Sequence, residues 1–132
     1  MSEPLSDVDR QAMDALTERI IGAAMEVSNV LGTGFLEKVY ENALVEELKR
    51  RGIHGLRQHR IAVHYKDVPV GDYVADLLVE NKVIIELKCV EALAEEHTAQ
   101  CLNYLRATGV RVAMLLNFQK PRLDFKRIVL DF

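Results

Sequence analysis

Three ionisable residues stand where the chain otherwise reads as apolar strand. Asp76 interrupts Val74-Ala75-Asp76-Leu77-Leu78-Val79, and Glu86-Leu87-Lys88 closes the run that begins Val83-Ile84-Ile85. A charge inside a buried strand is expensive unless it is paired or bound to a metal ion. Side chains alternate along a strand, so Glu86 and Lys88 share a face while Leu87 points to the other. Register decides whether Asp76 joins them. A three-residue turn at Glu80-Asn81-Lys82 pairs Val79 with Val83 and Asp76 with Glu86, whereas a two-residue turn sets Asp76 opposite Leu87 and separates the carboxylates. Two carboxylates that face each other repel, and a divalent cation lets both stay ionised. Oxygen-only ligands select Mg²⁺ or Mn²⁺ over zinc. The structural alternative makes Asp76 and Glu86 ion-pair partners of Lys82, Lys88 or an arginine on an exposed face.

Other residues bear on the same choice. Glu37 falls in the first turn of a helix that begins after Gly34-Phe35-Leu36, where an acid also complements the helix dipole. Tyr40, one turn on, suits core packing with a hydroxyl contact. Gln100 and Tyr104, four apart, share a helix face with His97, which reads as a solvated or substrate-side residue. His97, Cys101 and Cys89 are only three soft ligands, none in C-x-x-C spacing, which disfavours zinc; the cysteines read as small buried hydrophobes. With no Gly-rich phosphate loop and no G-x-S-x-G, nucleotide hydrolysis and serine-hydrolase chemistry lack a carrier.

The elements that position these residues follow from periodicity. Met13, Leu16, Ile20, Ala24, Val27 and Leu31 recur at three and four residues, predicting an amphipathic helix over about 9–31 capped by Ser6 or Asp7. After Gly32-Thr33-Gly34 a second helix carries Leu36, Tyr40, Leu44 and Leu48 and stops at Gly52 with Lys49, Arg50 and Arg51 in its last turn. Ile61, Val63 and Tyr65 then alternate as a strand. Asp67-Val68-Pro69-Val70-Gly71 reads as a connection, followed by strands over Tyr73–Glu80 and Val83–Cys89. A helix over Glu95–Thr108 ends at Gly109. Val110–Asn117 reads as a strand covered on both faces, and Lys126–Phe132 as an edge strand. This αα-βββ-α-ββ order predicts an α/β chain with a mixed central sheet flanked by helices.

Composition bounds the class. At 132 residues the chain reads as a single domain, 1–132, able to bury an ordinary core. Its 7 Gly and 3 Pro are few, which excludes a linker, a collagen-like repeat or a low-complexity tail. No apolar run reaches the roughly 18 residues of a membrane span, and the first residues lack the basic-then-apolar order of a secretory signal. With two cysteines, the expectation is a cytoplasmic protein without a disulfide framework or membrane partner. The net charge of −3 is uneven: six acids against two arginines in the first 26 residues leave the remainder at +1. Lys49, Arg50, Arg51, Arg57 and Arg60 form one basic stretch, with His54 and His59 interspersed; Lys120, Arg122, Lys126 and Arg127 form another. Such runs are either solvated surface or phosphate-facing patches.

Together these motifs bear a family resemblance. Gly34-x-x-Glu37-x-x-Tyr40 resembles the defining motif of the small GxxExxY proteins. Glu37, Asp76, Glu86-x-Lys88 and Gln100-x-x-x-Tyr104 together resemble the RecB-like branch of the PD-(D/E)XK nuclease superfamily. The likeness covers about residues 13–130; E-x-K alone is common, whereas four ordered motifs on the right elements are specific. Ala75 stands where the superfamily name has proline, and no histidine precedes Glu37. The resemblance implies a restriction-endonuclease-like core. It implies Asp76, Glu86 and the Leu87 carbonyl as ligands of Mg²⁺ or Mn²⁺, with Glu37 as a direct or water-mediated ligand. Lys88 would be the catalytic lysine, with Gln100 and Tyr104 holding the scissile region or supporting the metal ligands from behind. The expected activity is phosphodiester hydrolysis in DNA, RNA being second choice. The alternative is a catalytically silent nucleic-acid-binding or accessory module, and the small size suggests a homodimer or a host protein complex.

Overall fold

A computed structural model describes residues 3–132. Two helices come first, α1 (Asp7–Leu31) and α2 (Glu37–Arg50), followed by β1 (Gly55–Tyr65), β2 (Val68–Val79) and β3 (Val83–Lys88). Then come α3 (Glu95–Thr108), β4 (Val112–Asn117) and β5 (Asp124–Val129). Ser6 starts α1 because its hydroxyl accepts the Asp9 N–H at 3.2 Å, satisfying a donor that the first turn leaves free. Gly109 ends α3 in the left-handed region, φ +78°, where a side chain would be strained.

The strands form one sheet in the order β1-β2-β3-β4-β5. β3 and β4 run parallel, with α3 as the crossover between them, and every other neighbour is antiparallel. This is the mixed sheet flanked by helices that the element order predicts.

Alternation sends successive residues to two apolar layers. Leu77, Val79, Ile85, Leu87, Met114 and Leu116 pack under α1 and α2, with Met13, Ile20, Val27, Tyr40 and Leu44. Leu78, Ile84, Ala113 and Leu115 pack under α3, with Cys101, Tyr104 and Leu105. β3 and β4 are covered on both faces, which explains their nearly unbroken apolar runs. Among the described residues no helix is long and apolar enough to cross a membrane.

Two expectations need correction. The stretch from Val68 to Gly71 is strand, not connection, because Lys66 and Asp67 (φ +48° and +68°) make the two-residue hairpin turn alone. Pro69 is tolerated because that half of β2 pairs only with β1; a bulge at Val70 shifts the register between Val63 and His64. The last strand spans Asp124–Val129 and not Lys126–Phe132. Beyond it the Leu130 N–H bonds the Arg111 carbonyl at 2.9 Å, and Asp131 turns the chain away at φ +54°.

Candidate functional site

The β2–β3 hairpin has the three-residue register. Its ladder pairs Val79 with Val83, Leu78 with Ile84 and Leu77 with Ile85, then stops. One step further, side chains replace the backbone ladder: the Asp76 N–H donates to Glu86 Oε1 at 3.0 Å, and the Leu87 N–H donates to Asp76 Oδ2 at 2.8 Å. Ala75 and Leu77, two apart, pack into opposite layers, so the period of two breaks at Asp76. On β1, Gln58 lies between the Arg57–Leu77 and His59–Ala75 pairs and adopts φ +50°, rare for a residue other than glycine in mid-strand. The paired distortions at Gln58 and Asp76 take the Asp76 amide out of the ladder and let its carboxylate cross to β3.

Electrostatically the pair is costly. Glu86 is 5% exposed, and burial, then the Asp76 charge, pushes its carboxyl up to about 7. Asp76 is also raised, by burial first; the Leu87 N–H opposes this, and the charges of Glu41 and Glu37 add to it. Among the described residues the ion pairs all lie elsewhere, so neither Lys82, Lys88 nor an arginine neutralises the two carboxylates at contact distance. The ion-pair alternative therefore does not describe them.

Lys88 is half-buried and directs Nζ to Gln100 Oε1 at 3.5 Å. Like-charged, oxygen-only and without an ion-pair partner, with Glu86 buried and Asp76 half-buried, the donor set fits a hard divalent cation. Among the described residues no three His, Cys, Asp or Glu side chains gather closely enough to hold an ion by themselves. Asp76 and Glu86 thus stand as a pair, to be completed by backbone oxygen or water.

Glu37 opens α2 and is exposed; its charge is felt at Asp76, Glu86 and Cys89 without closing on the pair. The turn before it is clamped by Tyr40, whose hydroxyl donates to the Gly32 carbonyl at 2.6 Å and accepts the Phe35 N–H at 3.3 Å. The Tyr40 ring is fully buried and stacks on Phe118, with centroids 4.8 Å apart. Gly34, at φ +105°, supplies a conformation that an L side chain resists. Glycine and tyrosine therefore set where α2 begins, and so where Glu37 stands. On α3, Tyr104 is buried and its hydroxyl is pushed up to about 12, by burial first and then by the Glu86 charge. Cys101 is fully buried beside the pair, its thiol also pushed up to about 12, while Cys89 is only half-buried. His97 has a local role: its Nδ1 accepts the Ala94 N–H at 3.0 Å and caps α3.

Two residues escaped the sequence reading. Glu41 is buried at 4% exposure, accepting from Gln58 Nε2 at 3.0 Å and from Lys38 Nζ at 3.0 Å, with Arg57 at 3.9 Å. Its signal was its place four residues after Glu37 and in line with the core residues Leu44 and Leu48. Asn117, fully buried and opposite Lys88 in the parallel ladder, grips Val90 through both backbone groups, at 3.1 and 2.8 Å. It fixes the chain leaving β3, and no local pattern marked it.

A family model described as the PD-(D/E)XK nuclease superfamily matches residues 14–128. The chain belongs to that superfamily. Its nucleases generally use divalent metal ions, in keeping with the oxygen-only pair found here. Among solved structures, the chain is similar to the crystal structure of SSO0001 at 16% identity and a TM-score of 0.58. That likeness covers 73% of this chain and 51% of the other, so the chain spans about half its length. A lower similarity, TM-score 0.48 at 15% identity, links it to an alkaline exonuclease from Laribacter hongkongensis, over 82% of this chain and 76% of the other. No curated protein sequence matches.

The basic stretches are broken up in this PD-(D/E)XK fold. Arg50 pairs with Glu46, Arg51 with Glu47, Arg60 with Asp72 and Arg127 with Asp14. Lys120, Arg122 and Lys126 stay exposed on the β4–β5 side.

Proposed function

We propose that the chain is a metal-dependent nuclease that hydrolyses phosphodiester bonds in nucleic acid, DNA being favoured over RNA, with residues 1–132 forming one nuclease-like domain of a cytoplasmic protein of the GxxExxY group and RecB-like branch. The observation that carries this reading is the interlocked Asp76–Glu86 pair, Glu86 buried and Asp76 half-buried, without a basic partner at contact distance and flanked by Lys88. Asp76 and Glu86 would hold Mg²⁺ or Mn²⁺, helped by the Leu87 carbonyl, with Glu37 reaching the ion through water. A cation held there supplies Lewis acidity to the phosphate and to the attacking water. Lys88, as an ammonium, would orient that water and stabilise charge on the pentavalent transition state. Gln100 holds the Lys88 ammonium, and Tyr104, kept protonated, presents a hydroxyl donor toward the scissile region. Gly34 and Tyr40 support the GxxExxY assignment by fixing the turn that carries Glu37.

The test is cleavage of single- and double-stranded DNA and RNA with Mg²⁺, with Mn²⁺ and with EDTA. Metal-dependent cleavage of at least one polymer is expected. Cleavage of none, with nucleic-acid binding retained, would instead support an accessory module acting in a homodimer or host complex.

A further inference from the structure

The β1–β2 hairpin packs against α3 and leaves between them a cavity of about 730 Å³, within the size range of small-ligand sites. Asp76, Glu86 and Lys88 do not line it, but it adjoins the candidate centre through Gln100, which lines it together with Tyr104 and which Lys88 reaches. Tyr73 forms one wall and is 52% exposed; its ring lies 6.0 Å from that of Tyr104, tilted by 53°. Burying its own apolar surface would have favoured turning that ring inward, yet it stays open to the cavity. Ala99 keeps the opposite wall shallow. At the rim, Arg106 Nη1 donates to Asn103 Oδ1 at 3.1 Å, which leaves the Asn103 amide hydrogens and the rest of the guanidinium free. The cavity thus offers an aromatic face, side-chain amides at its edge and a cation, with the Glu96 carboxylate and the His64 imidazole also in its lining, next to a centre suited to a phosphodiester. A planar aromatic ligand with polar edges, joined to an anionic backbone, is the complement.

We propose that this cavity seats an unpaired nucleobase adjoining the scissile phosphodiester, stacked on Tyr73 and read at its edge by Asn103. This rests on the nuclease reading and narrows it: the substrate is single-stranded or a frayed end. A base inside a duplex has its faces covered by its neighbours and its pairing edge occupied, so it offers the cavity nothing to stack or read.

The experiment measures fluorescence anisotropy of a short labelled oligothymidylate and of a blunt, GC-clamped duplex of equal charge. Both are titrated at fixed salt with the Lys88→Ala variant of residues 1–132, which keeps the polymer intact. The single strand is expected to bind at least 10-fold tighter than the duplex. Adding Tyr73→Ala is expected to weaken single-strand binding roughly 5- to 100-fold, the range for loss of one stacked base. Tyr73→Phe should restore it, and duplex binding should not change. Tyr73 is half exposed, so both variants should keep the wild-type circular dichroism and melting temperature. Equal affinity for the two polymers, or a Tyr73→Ala variant that binds oligothymidylate as tightly as its parent, overturns the proposal. Wild-type cleavage assays run in parallel separate the readings: metal-dependent cleavage unaffected by Tyr73→Ala removes the base site alone, whereas absence of any cleavage removes the nuclease.

Discussion

At the scale of single residues, the cost of the site is concentrated in Asp76 and Glu86, and it depends on pH. Glu86 has its pKa raised in the folded chain, so between about 4.5 and about 7 the native state holds a proton that the unfolded state has released. Stability should therefore fall as pH rises through that window, by on the order of 3 kcal/mol if Glu86 acts alone. Asp76 is shifted in the same direction and adds to the fall. Thermal melts in EDTA from pH 4.5 to 8 should show it, and Glu86→Gln should flatten the curve. A flat wild-type profile would contradict the burial argument. If the ionised pair holds the proposed cation, Mg²⁺ or Mn²⁺ should raise the melting temperature more at pH 8 than at pH 5, and Asp76→Asn should abolish that rise. Glu41, which sits behind Gln58, is expected to act by position. Glu41→Gln should keep the metal-induced rise, whereas Glu41→Ala should reduce it by freeing the Gln58 side chain that sits opposite Asp76.

At the scale of elements, the start of α2 and the exit of β3 are the two supports of the site. Tyr40→Phe removes a fully buried hydroxyl with two partners and should destabilise the chain by about 1–3 kcal/mol in chemical denaturation. Gly34→Ala meets no atom within 4 Å, so its cost should come from the backbone alone, about 1–3 kcal/mol. In both variants metal affinity should weaken, because Glu37 shifts with the turn. Unchanged stability would show that the clamp is dispensable.

How far the sequence revealed these supports depended on whether the signal was local. Helix stripes at three and four residues, the αL glycine after α3 and the polar turn at Glu80-Asn81-Lys82 act within a few residues, and their elements were legible. The Pro69 strand was not, because its tolerance depends on β3 being too short to cover that half of β2. Nor was the break at Asp76, which needs Gln58 from another strand. Asp76, Glu86 and Lys88 stood out as charges in apolar strands, while Glu41 was hidden inside a helix pattern. Asn117 was hidden because its partner, Val90, is distant in sequence.

At the scale of the whole molecule, the apolar stripe of α1 is spent within its own core, where Ile20, Ala23, Ala24 and Val27 are buried. A homodimer would have to use another face. With Arg50, Arg51, Arg60 and Arg127 held in ion pairs, the exposed cations left at the Lys88 end of the sheet include Lys120 and Arg122, in the loop after Asn117. Single-strand binding should accordingly show a shallow salt dependence, a log–log slope of roughly −2 to −3 if three or four phosphates are neutralised. A slope steeper than about −5 would point to a larger basic surface. The fold, the interlocked carboxylates and the lysine beside them converge on one claim, metal-dependent cleavage at Asp76, Glu86 and Lys88. The most direct test is the initial rate of single-stranded DNA cleavage in Mn²⁺ for wild type, Lys88→Ala and Asp76→Asn, each shown to be folded. The account predicts cleavage by the wild type that EDTA abolishes, and a loss of at least 100-fold in both variants. Cleavage that persists undiminished in Lys88→Ala and Asp76→Asn would contradict it.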